Sequence, residues 1–275
     1  MPIPVIEVRG AKIPAIGMGT MTLKEKTCVD AVSAALRMGY TNLDTAERYG
    51  NEQWVGEGLR ASGVAREKIF ITTKVYVDKL APADFDQSVD DSLKRLQLPS
   101  VDLLLIHWPS ATVPLSDQIS SLCKAKRNGL TKHVGVANFT VKLLDEAMKL
   151  TTEPLVNNQI EVHPFLDQSK VLAACKKHGL SVTAYCPIAR GKVPGAEVLE
   201  RIGKAHGKSA SQVSLRYLTQ QGIVPIPRSA NPEHLKANLD VFDWSLTDTE
   251  MAEIGKLAKP DGRVVNPPHH PDWDN

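Results

Sequence analysis

No apolar run in the 275-residue sequence approaches the roughly 20 residues that a membrane helix requires. The start, Met-Pro-Ile-Pro-Val-Ile-Glu, lacks the basic segment and long apolar segment of a secretory signal. Charge of one sign is scarce too. The net charge is only +2, which gives no basis for binding nucleic acid or an anionic membrane surface. Cysteines number four, at 28, 123, 175 and 186, and no two form a C-x-x-C pair. That spacing excludes the usual zinc motifs and a disulfide framework, so the expectation is a reduced, cytoplasmic protein without metal. Low-complexity tracts, charge blocks and internal linkers are also missing.

One absence bears on the fold. Gly17-Met18-Gly19-Thr20 begins like the dinucleotide fingerprint G-x-G-x-x-G, but the third glycine is not there. A doubly wound sheet would need that turn opening directly into a helix.

What is present is a two-stroke rhythm. Residues 4–14 read as a hairpin turning at Arg9-Gly10. Strand patterns then fall at 16–19, 41–43, 69–73, 101–106, 133–137, 155–162, 181–185 and 223–226. Between them apolar residues recur at helical spacing, as at Val89, Leu93 and Leu96. Lys-His-Gly at 177–179 supplies one helix with a basic last turn and a stop. Eight alternating units predict an α/β fold, a (β/α)8 TIM barrel with an N-terminal β-hairpin. A barrel of this length folds as one domain, so a single domain over 1–275 is expected. The Pro- and His-rich end, from Gly262, reads as a loop or tail over the barrel.

In such a barrel the C-terminal strand ends share one rim, which carries the active site. Three successive strands end in ionisable groups: Asp44 with Tyr49 in the following loop, then Lys74, then His107. An ammonium beside a phenol favours the phenolate and makes Tyr49 the better acid. Asp44 would keep Lys74 charged and oriented. His107 can donate a hydrogen bond to a carbonyl oxygen. The set suits protonation of a developing alkoxide. A nicotinamide is then the natural hydride donor, since no side chain can supply one. Singly, each residue also fits a cap, a solvated strand end or a packing role.

The segments GMGT (17–20), GYTNLDTAERYGNE (39–52), ITTKV (71–75), VDLLLIHWP (101–109), GVANF (135–139), NNQIEVHP (157–164), AYCPIARG (184–191) and VPIPRSANPEHLKANL (224–239) resemble those of the aldo-keto reductases. The short loops and the ending HPDWD resemble the bacterial 2,5-diketo-gluconate reductase branch.

That resemblance implies a catalytic tetrad of Asp44, Tyr49, Lys74 and His107, with Tyr49 as proton donor. It implies that Asn138 and Gln159 hold the nicotinamide carboxamide, that Tyr185 stacks on the ring, and that Gly19, Thr20 and Asp44 border the cofactor. Cys186 and Ile188 fall in the pyrophosphate loop, where Cys186 replaces a common Ser, so weaker or backbone-only contact is expected there. Ala137 replaces another common Ser. Met21, Tyr76, His107 and Trp108 fall in the substrate pocket, with Tyr76 where many members carry Trp. Arg228, Ser229, His234 and Asn238 fall at the adenosine end. Arg228 stands where Lys is frequent and suits a 2′-phosphate. His234 replaces a second Arg and weakens that charge, because histidine is mostly neutral at pH 7.

The implied activity is reduction of small aldehydes, dicarbonyls and keto-sugars by a monomer, with NADPH preferred and NADH usable. Two other classes stay open on the residues alone. One is a barrel hydrolase or aldolase using metal at His107 and His163, or a Schiff base on Lys74. The other is a non-catalytic nicotinamide sensor. Glu161 and His163, on one strand face with Gln159, read as a buried hydrogen-bonded pair.

Overall fold

A computed structural model describes residues 3–274. Met1, Pro2 and Asn275, the outer limits of the expected domain, lie outside the described residues. The chain opens with an antiparallel hairpin, β1 (Val5–Val8) and β2 (Ala11–Pro14). Its turn residues Arg9 and Gly10 both have positive φ, 47° and 85°. That is the two-residue turn whose twist matches flanking strands, and glycine takes the second position without strain.

Eight parallel strands follow: β3 (Met18–Gly19), β4 (Asn42–Asp44), β5 (Phe70–Val75), β6 (Val101–Ile106), β7 (Thr131–Ala137), β8 (Leu155–Glu161), β9 (Ser181–Tyr185) and β10 (Val224–Pro225). They pair in sequence order. The ring closes through backbone bonds from Gly17 N to Pro225 O (3.0 Å) and Gly19 N to Pro227 O (3.1 Å). A Cβ on Gly19 would sit 2.8 Å from Ile226 O, so only glycine lets the first and last strands approach this closely. The G-x-G pair therefore serves barrel closure.

Helices α1 (Glu25–Met38), α2 (Glu52–Ser62), α3 (Pro82–Leu96), α4 (Leu115–Arg127), α5 (Val141–Leu150) and α6 (Ser169–Lys177) follow β3 to β8 in turn. α7 (Glu197–His206) and α8 (Ala210–Gln220) follow β9, and α9 (Pro232–Leu239) and α10 (Asp248–Gly255) follow β10. α1 shows why such segments are helical. Cys28, Ala31, Val32, Ala35 and Leu36 form its buried stripe. Arg37 lies in its last turn, and Gly39 ends it at φ 108°. α8 starts with a full capping box between Ser209 and Gln212.

Inside the barrel, Phe70, Leu103, Leu105, Val156 and Val224 pack in one cluster with Ala11 and Ile13 of the hairpin. Burying each large side chain stabilises the fold by about 1.5–3 kcal/mol. The hairpin thus plugs the N-terminal end, and Arg9 pins it there through Leu155 O (3.1 Å) and His178 O (2.6 Å). Two strand limits differ from expectation in a way that matters. β4 ends on Asp44 itself, and β5 runs through Lys74 to Val75, so Lys74 lies within a strand and faces the barrel's other polar groups.

Candidate active site

Asp44, at the end of β4, has both carboxylate oxygens engaged. Oδ1 accepts from Lys74 Nζ at 2.6 Å, and Oδ2 accepts from Gln159 Nε2 at 2.7 Å. Lys74 also donates to Thr45 O at 2.8 Å and has no solvent exposure. Burial pulls its amine down in pKa while Asp44 opposes the shift. Lys74 lies beneath Asp44 rather than on the cleft wall, which leaves no open face for a Schiff base.

Tyr49 closes a short helical turn, Glu47–Tyr49, ended by Gly50 at φ 58°. Lys24 Nζ fixes this turn by donating to Tyr49 O (2.5 Å) and Gly50 O (3.1 Å). The Tyr49 ring meets His107 edge to face at 5.7 Å between centroids and sits 5.2 Å from Lys74 Nζ. The four groups named from sequence therefore converge.

Their acid–base character corrects one expectation. From sequence, Lys74 is expected to make Tyr49 a stronger acid. Burial, then the charges of Asp44 and Cys186, instead hold the phenol well above the usual tyrosine value. Lys74 is half as far from Asp44 oxygen as from the Tyr49 ring centroid, so its charge is largely neutralised before it reaches the phenol. Tyr49 carries its proton throughout the neutral range. An alkoxide is far more basic than a phenolate, so donation to it remains downhill. His107 is held well below its usual value by burial, then by Lys74, His269 and Arg48. It is a neutral imidazole, and its buried Nδ1 has no hydrogen-bond partner among the described residues.

A polar chain extends from His107. Asn138, in the left-handed region at φ 62°, donates through Nδ2 to His107 O at 2.9 Å and accepts from Tyr185 Oη at 2.7 Å. Each end of the Asn138 amide retains capacity for one further bond, as does the oxygen of Gln159.

These groups floor a cleft of about 760 Å³ at the C-terminal strand ends. Gly19, Thr20, Met21, Tyr76 and Trp108 border it, as do Tyr185, Cys186, Ile188 and Arg228. Thr20 spends its hydroxyl on Asp44 O at 3.0 Å. Cys186 is left-handed at φ 50°, and Ala189 and Arg190 follow at 48° and 51°. Ser229, His234 and Asn238 do not border the cleft. Ser229 accepts from Asn231 N (3.0 Å) at the start of α9, His234 is exposed in its first turn, and Asn238 is a buried residue of α9.

Several cleft residues escaped sequence reading: Arg48, Arg190 and, from the tail, Val265, Pro267 and His269. The tail is held from below by Glu161, which is fully buried. Its oxygens accept from Val264 N (2.6 Å), Val265 N (2.9 Å) and His163 Nε2 (2.9 Å). Above, His269 meets Trp108 at 5.3 Å and bonds Tyr76 Oη at 3.3 Å, while Trp273 packs on Trp108 at 6.1 Å and under the Arg263 guanidinium at 3.6 Å. Asp274 ties the end to Val141 N (2.9 Å) and Lys170 (2.6 Å). Among the described residues no three His, Cys, Asp or Glu side chains gather to hold a metal ion.

Comparison with known proteins follows the same lines. The model of the Aldo/keto reductase family matches residues 15–259. The chain is 38% identical over 266 residues to a methylglyoxal reductase DkgB of Escherichia coli O157:H7, spanning 95% of this chain and 99% of that one. It is 37% identical over 260 residues to a glyoxal reductase of Bacillus subtilis (strain 168), spanning 94% of each. A crystal structure named as a candidate 2,5-diketo-D-gluconic acid reductase B superposes with a TM-score of 0.97 at 42% identity, covering 99% of this chain and 98% of that one. A Bombyx mori aldo-keto reductase in complex with NADP superposes at 0.89 and 32% identity, covering 97% and 96%. The chain belongs to the aldo/keto reductase family and is an oxidoreductase that reduces carbonyl groups.

Proposed function

We propose that this protein reduces small aldehydes and dicarbonyls, with keto-sugars also accepted, using NADPH in preference to NADH and Tyr49 as proton donor. The observation that carries this reading is the joint placement of a protonated phenol and a neutral imidazole, 5.7 Å apart by ring centroids, on the floor of one cleft. The names of the relatives, methylglyoxal and glyoxal reductases, favour dicarbonyls.

The residues suit a nicotinamide dinucleotide. Arg190 and Arg228 border the cleft and form no ion pair with any described residue, leaving two cations for phosphate groups. Asn138 and Gln159 offer both donors and acceptors for a carboxamide, and Tyr185 offers an aromatic face. A bound nicotinamide supplies the hydride. The chain's own groups do the rest. His107 orients the carbonyl oxygen by donating a hydrogen bond, and Tyr49 gives its proton to that oxygen as negative charge develops. The Asp44–Lys74 pair holds Tyr49's surroundings fixed. Gln159 couples that pair to the carboxamide side. Met21, Tyr76 and Trp108 supply an apolar wall for the substrate.

Arg228 adds charge at the adenosine end, with Ser229, His234 and Asn238 further along the same loop and helix. One cation where two are frequent supports an NADPH preference of reduced margin. The site draws on one chain, so a monomer suffices, and four free cysteines suit a cytoplasmic setting. The test is optical measurement of cofactor oxidation with both cofactors across methylglyoxal, glyoxal, simple aldehydes and keto-sugars. Dicarbonyl turnover with NADPH exceeding NADH is expected. No turnover of any carbonyl would overturn the reading.

A further inference from the structure

Arg48 directly precedes Tyr49 in the same short turn and borders the cleft. It is exposed and makes no hydrogen bond or ion pair with any described residue. Its guanidinium lies over the Tyr76 ring at 5.3 Å, and Tyr76 in turn meets His107 at 5.5 Å. One aromatic ring therefore separates a free guanidinium from the imidazole that faces the reacting carbonyl. Its positive charge lowers the pKa of both His107 and His269, and His269 is the tail residue that bonds Tyr76.

The nearby carboxylates do not cancel it. Asp44 is committed to Lys74 and Gln159. Glu47 turns away to Ser88 Oγ at 2.9 Å and Tyr76 N at 3.4 Å. Asp78 acts on His269 but forms no ion pair with Arg48. The other two cleft arginines come from later segments of the chain. Arg190 lies in the short turn after β9, and Arg228 follows β10 and adjoins Gly19.

We infer that Arg48 is the recognition point for a carboxylate on the carbonyl substrate, so that the enzyme favours oxo-acids over neutral carbonyls of the same size. This rests on the carbonyl-reductase reading above. A guanidinium presents paired N–H donors that match the two oxygens of a carboxylate. Stacking on Tyr76 fixes the plane of that fork, so less freedom is lost on binding. The carbonyl end of the same molecule then falls between Tyr49 and His107.

The experiment compares kcat/KM for two matched pairs: succinic semialdehyde with butanal, and 4-carboxybenzaldehyde with 4-methylbenzaldehyde. Wild type, Arg48→Met and Arg48→Lys are assayed with the same cofactor. Wild type should favour the carboxylate of at least one pair. In Arg48→Met the carboxylate-to-neutral ratio should fall about 10–100-fold, mainly through KM, as expected for loss of a charged hydrogen bond. Arg48→Lys should restore part of it. Succinate binding, followed by calorimetry, should weaken in parallel, and salt should weaken it further in wild type. Equal preference within both pairs in wild type, or an equal loss on both members in Arg48→Met, would overturn the inference while the reductase reading stands. Absence of turnover on all four aldehydes would sink the reductase reading itself.

Discussion

Lys74 Nζ lies 2.6 Å from Asp44 Oδ1, and neither side chain has more than 3% exposure. Removing one partner of such a pair strands a charge in the interior. Lys74→Met should therefore cost about 3–5 kcal/mol of unfolding free energy in urea titration, as well as activity. The double variant Asp44→Leu/Lys74→Met should recover most of the stability and none of the turnover. A single variant as stable as wild type would show that the pair is not the structural unit described.

The pH behaviour follows from two directions. Tyr49 is held above its usual value and His107 below. Neither changes charge across the neutral range. Carbonyl reduction should be flat from about pH 6 to 8.5. Oxidation of the alcohol needs Tyr49 to accept a proton, so it should rise with pH. A reduction rate that falls with an apparent pKa near 7 would mean that another group is the donor.

The same His107 shift bears on stability. The folded protein resists protonating this imidazole, whereas the unfolded chain takes the proton below about pH 6.5. Protons bound are then more numerous in the unfolded state, and stability falls as pH drops through that value. Urea midpoints at pH 7.5 and 5.5 should differ less in His107→Gln than in wild type. An unchanged difference would remove His107 from the acid-side loss.

Much of this organisation is legible in the sequence, for physical reasons. Strands buried on both faces read as unbroken apolar runs, as in Val101–Ile106, so β6 and its neighbours stand out. Asp44, Lys74 and His107 lie within or next to three such runs, which places them on one rim. The part that Gly17 and Gly19 play in closing the barrel is not legible, because closeness to Ile226 depends on residues some 200 positions away. The acidity of Tyr49 is not legible, because residue identity reports neighbouring charge and not the burial that dominates here. The tail gave little signal, since its segment lacks periodicity and its anchor, Glu161, is 103 residues from Val264.

That anchor gives a further expected outcome. Glu161→Ala removes the acceptor for two backbone N–H groups and for His163. Lost charged hydrogen bonds cost about 1.5–3 kcal/mol each, enough to release residues 263–274 from the cleft. KM for carbonyl substrates should rise about tenfold or more with kcat less affected, and protease cleavage of the tail should quicken. Unchanged KM and protease resistance would mean that Asp274 and Trp273 hold the tail without Glu161.

On the proposed placement of a 2′-phosphate at Arg228, Arg228→Ala should lower the NADPH-to-NADH ratio of kcat/KM by about tenfold, as loss of one charged contact implies. His234→Arg should raise it. A ratio that moves with neither substitution would place the 2′-phosphate elsewhere.

The most direct measurement is turnover and cofactor affinity of Tyr49→Phe, made together. The substitution keeps the ring that meets His107 and Lys74 and removes only the hydroxyl. With Tyr49 as the proton donor, kcat for carbonyl reduction falls about 10²–10⁴-fold, and the dissociation constant for NADPH, read by fluorescence quenching, stays within about twofold. Near-normal kcat on every carbonyl that wild type reduces would contradict that role outright.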